Sequence, residues 1–181
     1  MRVEVAQTAG FCFGVDRAVS TVYRLLEEGK KAATLGPIIH NPQVTGDLAA
    51  RGVRVVSRPE ETPPGYTLVI RSHGVPREVE EKARSLGLSY VDATCPFVKK
   101  IHNLAERAGE QGQVFLLAGD KNHPEVQGIV GHCKGENFVI KSSEELVELL
   151  KKPSGIGKET PGFCGSDHLS RRRMGKNARK L

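Results

Sequence analysis

The sequence lacks the long apolar run that a membrane protein needs. No stretch approaches the roughly 18 consecutive apolar residues of a membrane-spanning helix, and the N-terminus has no signal-peptide pattern. A hydrophobic content of 38% and a charged content of 27% are ordinary for a soluble globular protein. We therefore expect a cytoplasmic protein that has no membrane partner.

Cysteines are few, and they are not paired in the sequence. Four cysteines spread over 181 residues lack the close spacing of a secreted disulfide framework or of a structural zinc site. In a reducing compartment such cysteines serve as metal ligands, as nucleophiles or as small buried core residues. Their surroundings must decide among these roles.

Basic charge is concentrated at the C-terminus. Residues 151–181 hold nine Lys/Arg and two Asp/Glu, a net charge of +7, whereas residues 1–150 hold eighteen and nineteen, a net charge of −1. The tail has no apolar periodicity, and its one aromatic residue is Phe163. Because single-stranded nucleic acid needs an aromatic stacking platform, we expect no nucleic-acid partner. This composition favours a disordered basic tail.

The first 150 residues alternate short β-rich runs with stretches of helical periodicity. Strands are predicted at Val3–Ala6, Ala32–Leu35, Val53–Val56, Thr67–Ile70, Ser89–Asp92, Val114–Ala118 and Phe138–Ile140. Helices are predicted at Val15–Glu28, Pro42–Ala50, Pro76–Leu86, Phe97–Gln111, Pro124–Gly131 and Ser143–Leu150. This alternation indicates an α/β fold with parallel sheets covered by helices. We predict two tandem α/β units, 1–95 and 96–150, followed by the tail 151–181.

Reactive side chains follow five of the predicted strands. Ligands of parallel α/β sheets bind beyond the carboxyl ends of the strands, where the sequence places Cys12, His40, His73, Cys95 and His123. Imidazole N–H groups suit an anionic, phosphate-like ligand, and a carboxyl group beside them, Glu125, suits proton transfer. The joint pattern predicts one site with sulfur ligands and a ring of imidazoles.

The two cysteines of this set also precede predicted helices. The positive N-terminal end of a helix favours negative charge, and the thiolate is the form of cysteine that binds metal or attacks a substrate. Two thiolates alone do not hold a cubane iron–sulfur cluster, whereas three would leave one iron open to a substrate. Cys133 lies at the end of a predicted helix and Cys164 lies in the tail, so neither is a convincing third ligand.

Taken one at a time, these residues have ordinary explanations. A histidine in a βα loop is more often a surface or hydrogen-bonded residue, and a cysteine beside a core strand is more often a small buried hydrophobe. Only the joint pattern favours a functional site.

Five short motifs run in order along residues 1–150. They are Gly-Phe-Cys-x-Gly-Val-x-Arg-Ala at 10–18, His-Asn at 40–41, Ser-His-Gly-Val at 72–75, Asp-Ala-Thr-Cys-Pro at 92–96 and His-Pro-Glu-Val at 123–126. Together they resemble the motifs of the 4-hydroxy-3-methylbut-2-enyl diphosphate reductase family, the LytB-type iron–sulfur enzymes of the non-mevalonate isoprenoid pathway.

This resemblance implies a trefoil of three α/β units around a [4Fe-4S] cluster, of which this chain carries the first two. It implies reductive removal of the substrate's hydroxyl group as water, which gives isopentenyl and dimethylallyl diphosphate. An external electron donor such as ferredoxin or flavodoxin is also implied. By motif match, the cluster ligands are Cys12 and Cys95, the diphosphate ligands are His40, His73 and His123, and the residue for proton delivery is Glu125.

The tail departs from the family pattern. The Ala-Gln-Thr-Thr motif that opens the family's third unit is not present, and neither is the cluster cysteine that follows it. With permitted codons, the bases encoding Phe163–Leu181 read one position later give Phe-Val-Ala-Gln-Thr-Thr and then an acidic helix start. We therefore interpret the tail as a frameshifted beginning of the third unit. A gene without Ala-Gln-Thr-Thr in the neighbouring frame would refute this interpretation.

On this interpretation we expect little or no reductase activity from the polypeptide alone. The alternative is a non-enzymatic α/β protein that binds a phosphate ligand through its histidines and leaves its cysteines free. Iron and sulfide analysis after anaerobic purification separates the two hypotheses.

Overall fold

The computed structural model describes residues 3, 4, 6 and 9–151, together with the backbone of residues 162–165. The helices are α1 (Phe13–Glu27), α2 (Pro42–Ala50), α3 (Arg77–Ser85), α4 (Pro96–Glu110), α5 (Pro124–Val130) and α6 (Ser143–Lys151). The strands are β1 (Lys31–Leu35), β2 (Arg54–Val56), β3 (Tyr66–Ile70), β4 (Tyr90–Asp92), β5 (Phe115–Ala118), β6 (Asn137–Ile140) and β7 (Gly162–Gly165). Among the described helices, none combines the length and the hydropathy that a bilayer-spanning helix requires.

The chain divides into two compact units. The first unit is Met1–Ser72 with Glu81–Phe97, and the second is His73–Glu80 with Val98–Leu181. The sequence analysis placed residues 73–80 in the unit 1–95, whereas the structure assigns them to the second unit. A long-range contact links this segment to the second unit: the Val75 carbonyl lies 3.1 Å from a ring nitrogen of His132. No sequence pattern predicts such a contact.

The first unit contains a four-stranded sheet in the order β2-β1-β3-β4. Every strand pair is parallel, so the prediction of a parallel α/β sheet is confirmed. Helix α1 contributes one apolar face to the core through Ala18, Val22 and Leu25, which recur at helical spacing. A hydrogen bond of 2.6 Å from the Tyr23 hydroxyl to the Asp47 carboxylate joins α1 to α2. This bond lowers the pKa of Asp47 and raises the pKa of Tyr23.

The second unit contains a three-stranded parallel sheet in the order β6-β5-β7. Its core consists of small and apolar residues from α4, β5 and α5, namely Ala105, Ala108, Phe115, Leu117, Val126 and Ile129. Strand β7 was not predicted, because Gly-Phe-Cys-Gly has no alternation and no β-branched residue. Its pairing with β5 corrects the prediction of a disordered tail at these four residues. Residues 152–161 and 166–181 of that tail lie outside the described residues.

The strand predicted at Val3–Ala6 is wrong where the structure describes it. Val3, Glu4 and Ala6 belong to no strand, and Val3 is 76% exposed. An alternating pattern forms a strand only if one face is buried against other elements, and this segment buries no such face at Val3. As a result, Cys12 does not follow a strand in the described part of the chain, and its position is set by helix α1 instead.

Candidate functional site

Cys95 lies between β4 and α4 of the first unit, in a loop that is held by three hydrogen bonds. Its backbone N–H donates to the carbonyl of Ser72 at 2.9 Å. The carbonyl of the preceding residue, Thr94, accepts from the Arg17 guanidinium at 2.9 Å, and the Thr94 N–H donates to the Asp92 carboxylate at 2.9 Å. These bonds fix the backbone that leads into Cys95.

Cys12 occupies the N-cap position of α1, and its exposed side chain makes no capping hydrogen bond. The first turn of α1 contacts the other cysteine, because a Cβ atom on Gly14 would lie 2.4 Å from the Cys95 sulfur. Only a residue without a side chain allows this approach. The first turn of α1, which follows Cys12, therefore contacts Cys95 within the first unit.

In the first unit, His40 lies in the loop after β1 and Arg71 lies directly after β3. His40 is exposed and comes directly before Asn41, whose side-chain oxygen caps α2 by accepting from two N–H groups at 3.0 and 3.2 Å. Arg71 directly follows β3, and its Nη1 lies against Gly36, where a Cβ atom would be 2.3 Å away. Burial lowers the pKa of Arg71. The segments after these two strands thus add positive charge and N–H donors.

His73 and His123 lie together in the second unit. Their ring centroids are 5.6 Å apart at an interplanar angle of 86°, and a nitrogen of one ring lies within 4.8 Å of a nitrogen of the other. The turn that presents His123 is closed by its N–H, which donates to the carbonyl of Asp120 at 2.8 Å. The Asp120 carboxylate accepts from the Asn122 N–H at 2.9 Å, which lowers the pKa of Asp120.

The side chain of His123 caps helix α5. Its Nδ1 atom lies 3.2 Å from the N–H of Glu125 and accepts a hydrogen bond from it. An accepting ring nitrogen carries no proton, so in the neutral imidazole the hydrogen must be on Nε2. The cap therefore assigns His123 the Nε2–H tautomer. Glu125 itself is buried, with 6% of its surface exposed.

Two imidazoles this close also resemble a transition-metal site. A metal ion binds a ring nitrogen that has no proton. In His123 that nitrogen is already the acceptor of the α5 cap, and coordination through Nε2 would require its proton to leave. Protonated Nε2 instead donates a hydrogen bond to an anion. The geometry therefore favours an anionic ligand over a metal ion at this histidine.

The residues of the first unit fit two positions of an iron–sulfur cluster. Cys12 and Cys95 supply the soft sulfur ligands that such clusters take, and the absence of a side chain on Gly14 lets the Cys95 sulfur pack against the first turn of α1. The adjacent Thr94 hydroxyl is buried and has no hydrogen-bond partner among the described residues. Cys133 lies in the second unit, with its sulfur 3.7 Å from the carbonyl of Gly135. That Cys12 and Cys95 are the cluster ligands stays a prediction.

The structure groups the predicted site residues within each unit. It brings the Cys12 and Cys95 loops together in the first unit and His73 with His123 in the second, while His40 follows β1. Convergence of all five side chains on one hollow stays a prediction. Sequence reasoning missed three supporting contacts, made by Gly14, Arg17 and Ser72. All three lie inside the quoted motifs, but a motif does not reveal which residue each member contacts.

The chain is similar to proteins of one family over most of its length. The family model described as LytB protein matches residues 3–163. A Thermoanaerobacter protein named 4-hydroxy-3-methylbut-2-enyl diphosphate reductase is 43% identical over 166 residues, which cover 88% of this chain and 58% of that protein. The Aquifex aeolicus protein of the same name is 46% identical over 151 residues, which cover 81% of this chain and 52% of that protein. The chain thus spans less than two thirds of these relatives.

Solved structures agree in fold. A structure of (E)-4-hydroxy-3-methyl-but-2-enyl diphosphate reductase, the terminal enzyme of the non-mevalonate pathway, superposes with a TM-score of 0.74 at 43% identity. The match covers 91% of this chain and 57% of that one. A Plasmodium falciparum reductase gives a TM-score of 0.81 at 26% identity, covering 91% and 51%.

Proposed function

Since the chain belongs to the LytB protein family, we propose that it carries the diphosphate-binding histidines and two cluster cysteines of a 4-hydroxy-3-methylbut-2-enyl diphosphate reductase. The reaction class is reductive dehydroxylation. Two electrons and two protons replace the substrate's hydroxyl group with hydrogen and release water. The products are isopentenyl and dimethylallyl diphosphate.

The observation that carries this proposal is the tautomer of His123. Its Nε2–H donor lies beside His73, and imidazole N–H groups suit an anionic, phosphate-like ligand. We propose that His73 and His123 hold the diphosphate and that His40 binds the same group. The buried carboxyl group of Glu125, which follows His123 by two residues, is proposed to deliver a proton to the leaving oxygen.

Cys12 and Cys95 are proposed to hold a [4Fe-4S] cluster. When bound, such a cluster supplies the electrons for the reduction. The chain's own contribution is to fix the Cys95 backbone through Arg17 and Ser72. We propose a cytoplasmic location and an external one-electron donor of the ferredoxin or flavodoxin kind.

The anion-binding half of the proposal is tested with inorganic pyrophosphate. His73→Ala and His123→Ala should each weaken pyrophosphate binding about tenfold, the effect of losing one hydrogen bond to a charged ligand. His40→Ala should have a similar effect if His40 binds the same group. Isothermal titration calorimetry at constant ionic strength measures all three variants.

Lys30→Ala is the matched control for surface charge. Lys30 is exposed and pairs with the Glu28 carboxylate at 2.7 Å, so its loss should leave the affinity unchanged. The proposal fails if His73→Ala and His123→Ala bind pyrophosphate as tightly as the wild-type chain. It also fails if Lys30→Ala weakens binding as much as they do, since attraction by net charge would then explain the affinity.

A further inference from the structure

The segment His73–Pro76 lies directly on helix α5 of the second unit. A Cβ atom on Gly128 would be 3.4 Å from the His73 carbonyl and 3.5 Å from the Val75 nitrogen. One turn later, a Cβ atom on Gly131 would be 2.4 Å from the Cβ of Pro76. Gly128 and the C-cap residue Gly131 lie three residues apart on the same face of α5. Because neither has a side chain, the backbone of residues 73–76 packs closely against this face.

His132 closes this contact at the end of α5. Its Nε2 atom lies 3.1 Å from the Val75 carbonyl. A carbonyl only accepts, so Nε2 carries the hydrogen and donates it. The Glu80 carboxylate, at 4.0 Å from the same nitrogen, faces the N–H edge of the ring and favours this orientation.

A second buried imidazole supports the ring of His132. His102 on α4 stacks on it with ring centroids 4.1 Å apart and an interplanar angle of 20°. His102 is 3% exposed and His132 is 8% exposed. Packed side chains of this kind are held in one rotamer, so the donor of His132 has a fixed position.

We infer that His132 is a positioning residue for His73. By holding the Val75 carbonyl, two residues after His73, it fixes the segment from which the His73 imidazole reaches His123. This inference rests on the proposed function, in which His73 donates to a diphosphate. It assigns a role to a histidine that lies outside the five motifs.

Two amide substitutions test the inference without placing an apolar group at this site. In His132→Gln the side-chain NH₂ lies about as far along the side chain as Nε2, so it keeps the donor to Val75. In His132→Asn the amide is one carbon shorter and does not reach. Both variants lose the stacking partner of His102 equally, so a difference between them reports the hydrogen bond.

Two readouts are measured on the whole chain. Inorganic pyrophosphate should bind about tenfold more weakly to His132→Asn than to His132→Gln. The shorter side chain loses the hydrogen bond to the Val75 carbonyl that holds the His73 segment in place. Hydrogen exchange of the backbone amides of residues 73–75 should be about tenfold faster in His132→Asn for the same reason. Equal exchange rates in the two variants, or equal pyrophosphate affinities, would overturn the inference.

The two proposals fail in different ways. A wild-type chain that does not bind pyrophosphate overturns the proposed function. The exchange rates of the backbone amides of residues 73–75 still decide whether His132 holds the segment, and equal rates in the two variants reject that role. A chain that binds pyrophosphate equally in wild-type, His132→Gln and His132→Asn forms overturns the positioning role alone.

Discussion

Replacing Cys95 with serine should remove nearly all iron and sulfide from the chain after anaerobic reconstitution. Iron–sulfur clusters are bound by soft thiolate ligands, and a serine hydroxyl is a hard ligand that binds them poorly. Since even outer-shell changes weaken metal sites by roughly 10–100-fold, losing a direct ligand should exceed that range. Cys12→Ser should have the same effect. Iron and sulfide analysis measures both, with a small thiol added to supply an external ligand.

Cys133→Ser is the matched control for these substitutions. Cys133 is a free cysteine like the other two, but it lies in the second unit and its sulfur is directed at a backbone carbonyl. It should retain the iron and sulfide content of the wild-type chain. Wild-type content in both Cys12→Ser and Cys95→Ser would rule out the proposed ligand pair. A wild-type chain that holds no iron or sulfide would favour the alternative, a phosphate-binding protein with free cysteines.

Gly14→Ala should destabilise the first unit and separate its two cysteine loops. The new Cβ atom would lie 2.4 Å from the Cys95 sulfur and 2.9 Å from the Cys95 Cβ, so the helix or the loop must move. Overpacking of this kind costs about 1–3 kcal/mol. Urea denaturation should detect the loss, and alkylation resolved by mass spectrometry should show faster modification of Cys95.

Gly46→Ala provides a comparison inside the same unit. Both glycines lie within helices, and neither has a left-handed backbone. A Cβ atom on Gly46 would meet nothing within 4 Å, so the higher helix propensity of alanine should stabilise the unit by about 0.5–1 kcal/mol. Equal behaviour of the two variants would show that the approach of Gly14 to Cys95 does not matter for stability.

The repeating elements of this fold follow from local sequence. Helix α2 begins and ends where the pattern predicted it. Its start is set by Asn41, whose side chain accepts hydrogen bonds at the N-cap, and by Pro42, whose fixed φ suits the first turn. Strands β1 and β3 are buried on both faces, and continuous apolar runs of that kind are typical of parallel sheets. Local rules therefore give the α/β class and most element boundaries.

Contacts between distant segments do not follow from such rules. The segment Val3–Ala6 has the alternating residues of a strand, yet the side chain of Val3 is exposed and the described residues of the segment form no strand. The assignment of residues 73–80 to the second unit depends on His132, 57 residues from its partner Val75. Pairing of β7 with β5 depends on a segment that has no strand pattern. Each case is decided by tertiary packing, which overrides local propensity.

The motifs predicted the family of the chain, while the roles of their cysteines and histidines stay predictions. They identified the cysteines and histidines by type and order, and they led to the family to which the chain belongs. The tautomer of His123 required coordinates, because only a defined hydrogen-bond partner tells one ring nitrogen from the other.

The most direct test of this account is a long-range ¹H–¹⁵N correlation spectrum of the imidazole of His123, recorded with and without inorganic pyrophosphate. At a pH of about 8, where most imidazoles are neutral, the account predicts the Nε2–H tautomer. It also predicts that pyrophosphate shifts the signals of both His123 and His73. An Nδ1–H tautomer, or ring signals that saturating pyrophosphate leaves unmoved, would contradict the assignment of these histidines as anion donors.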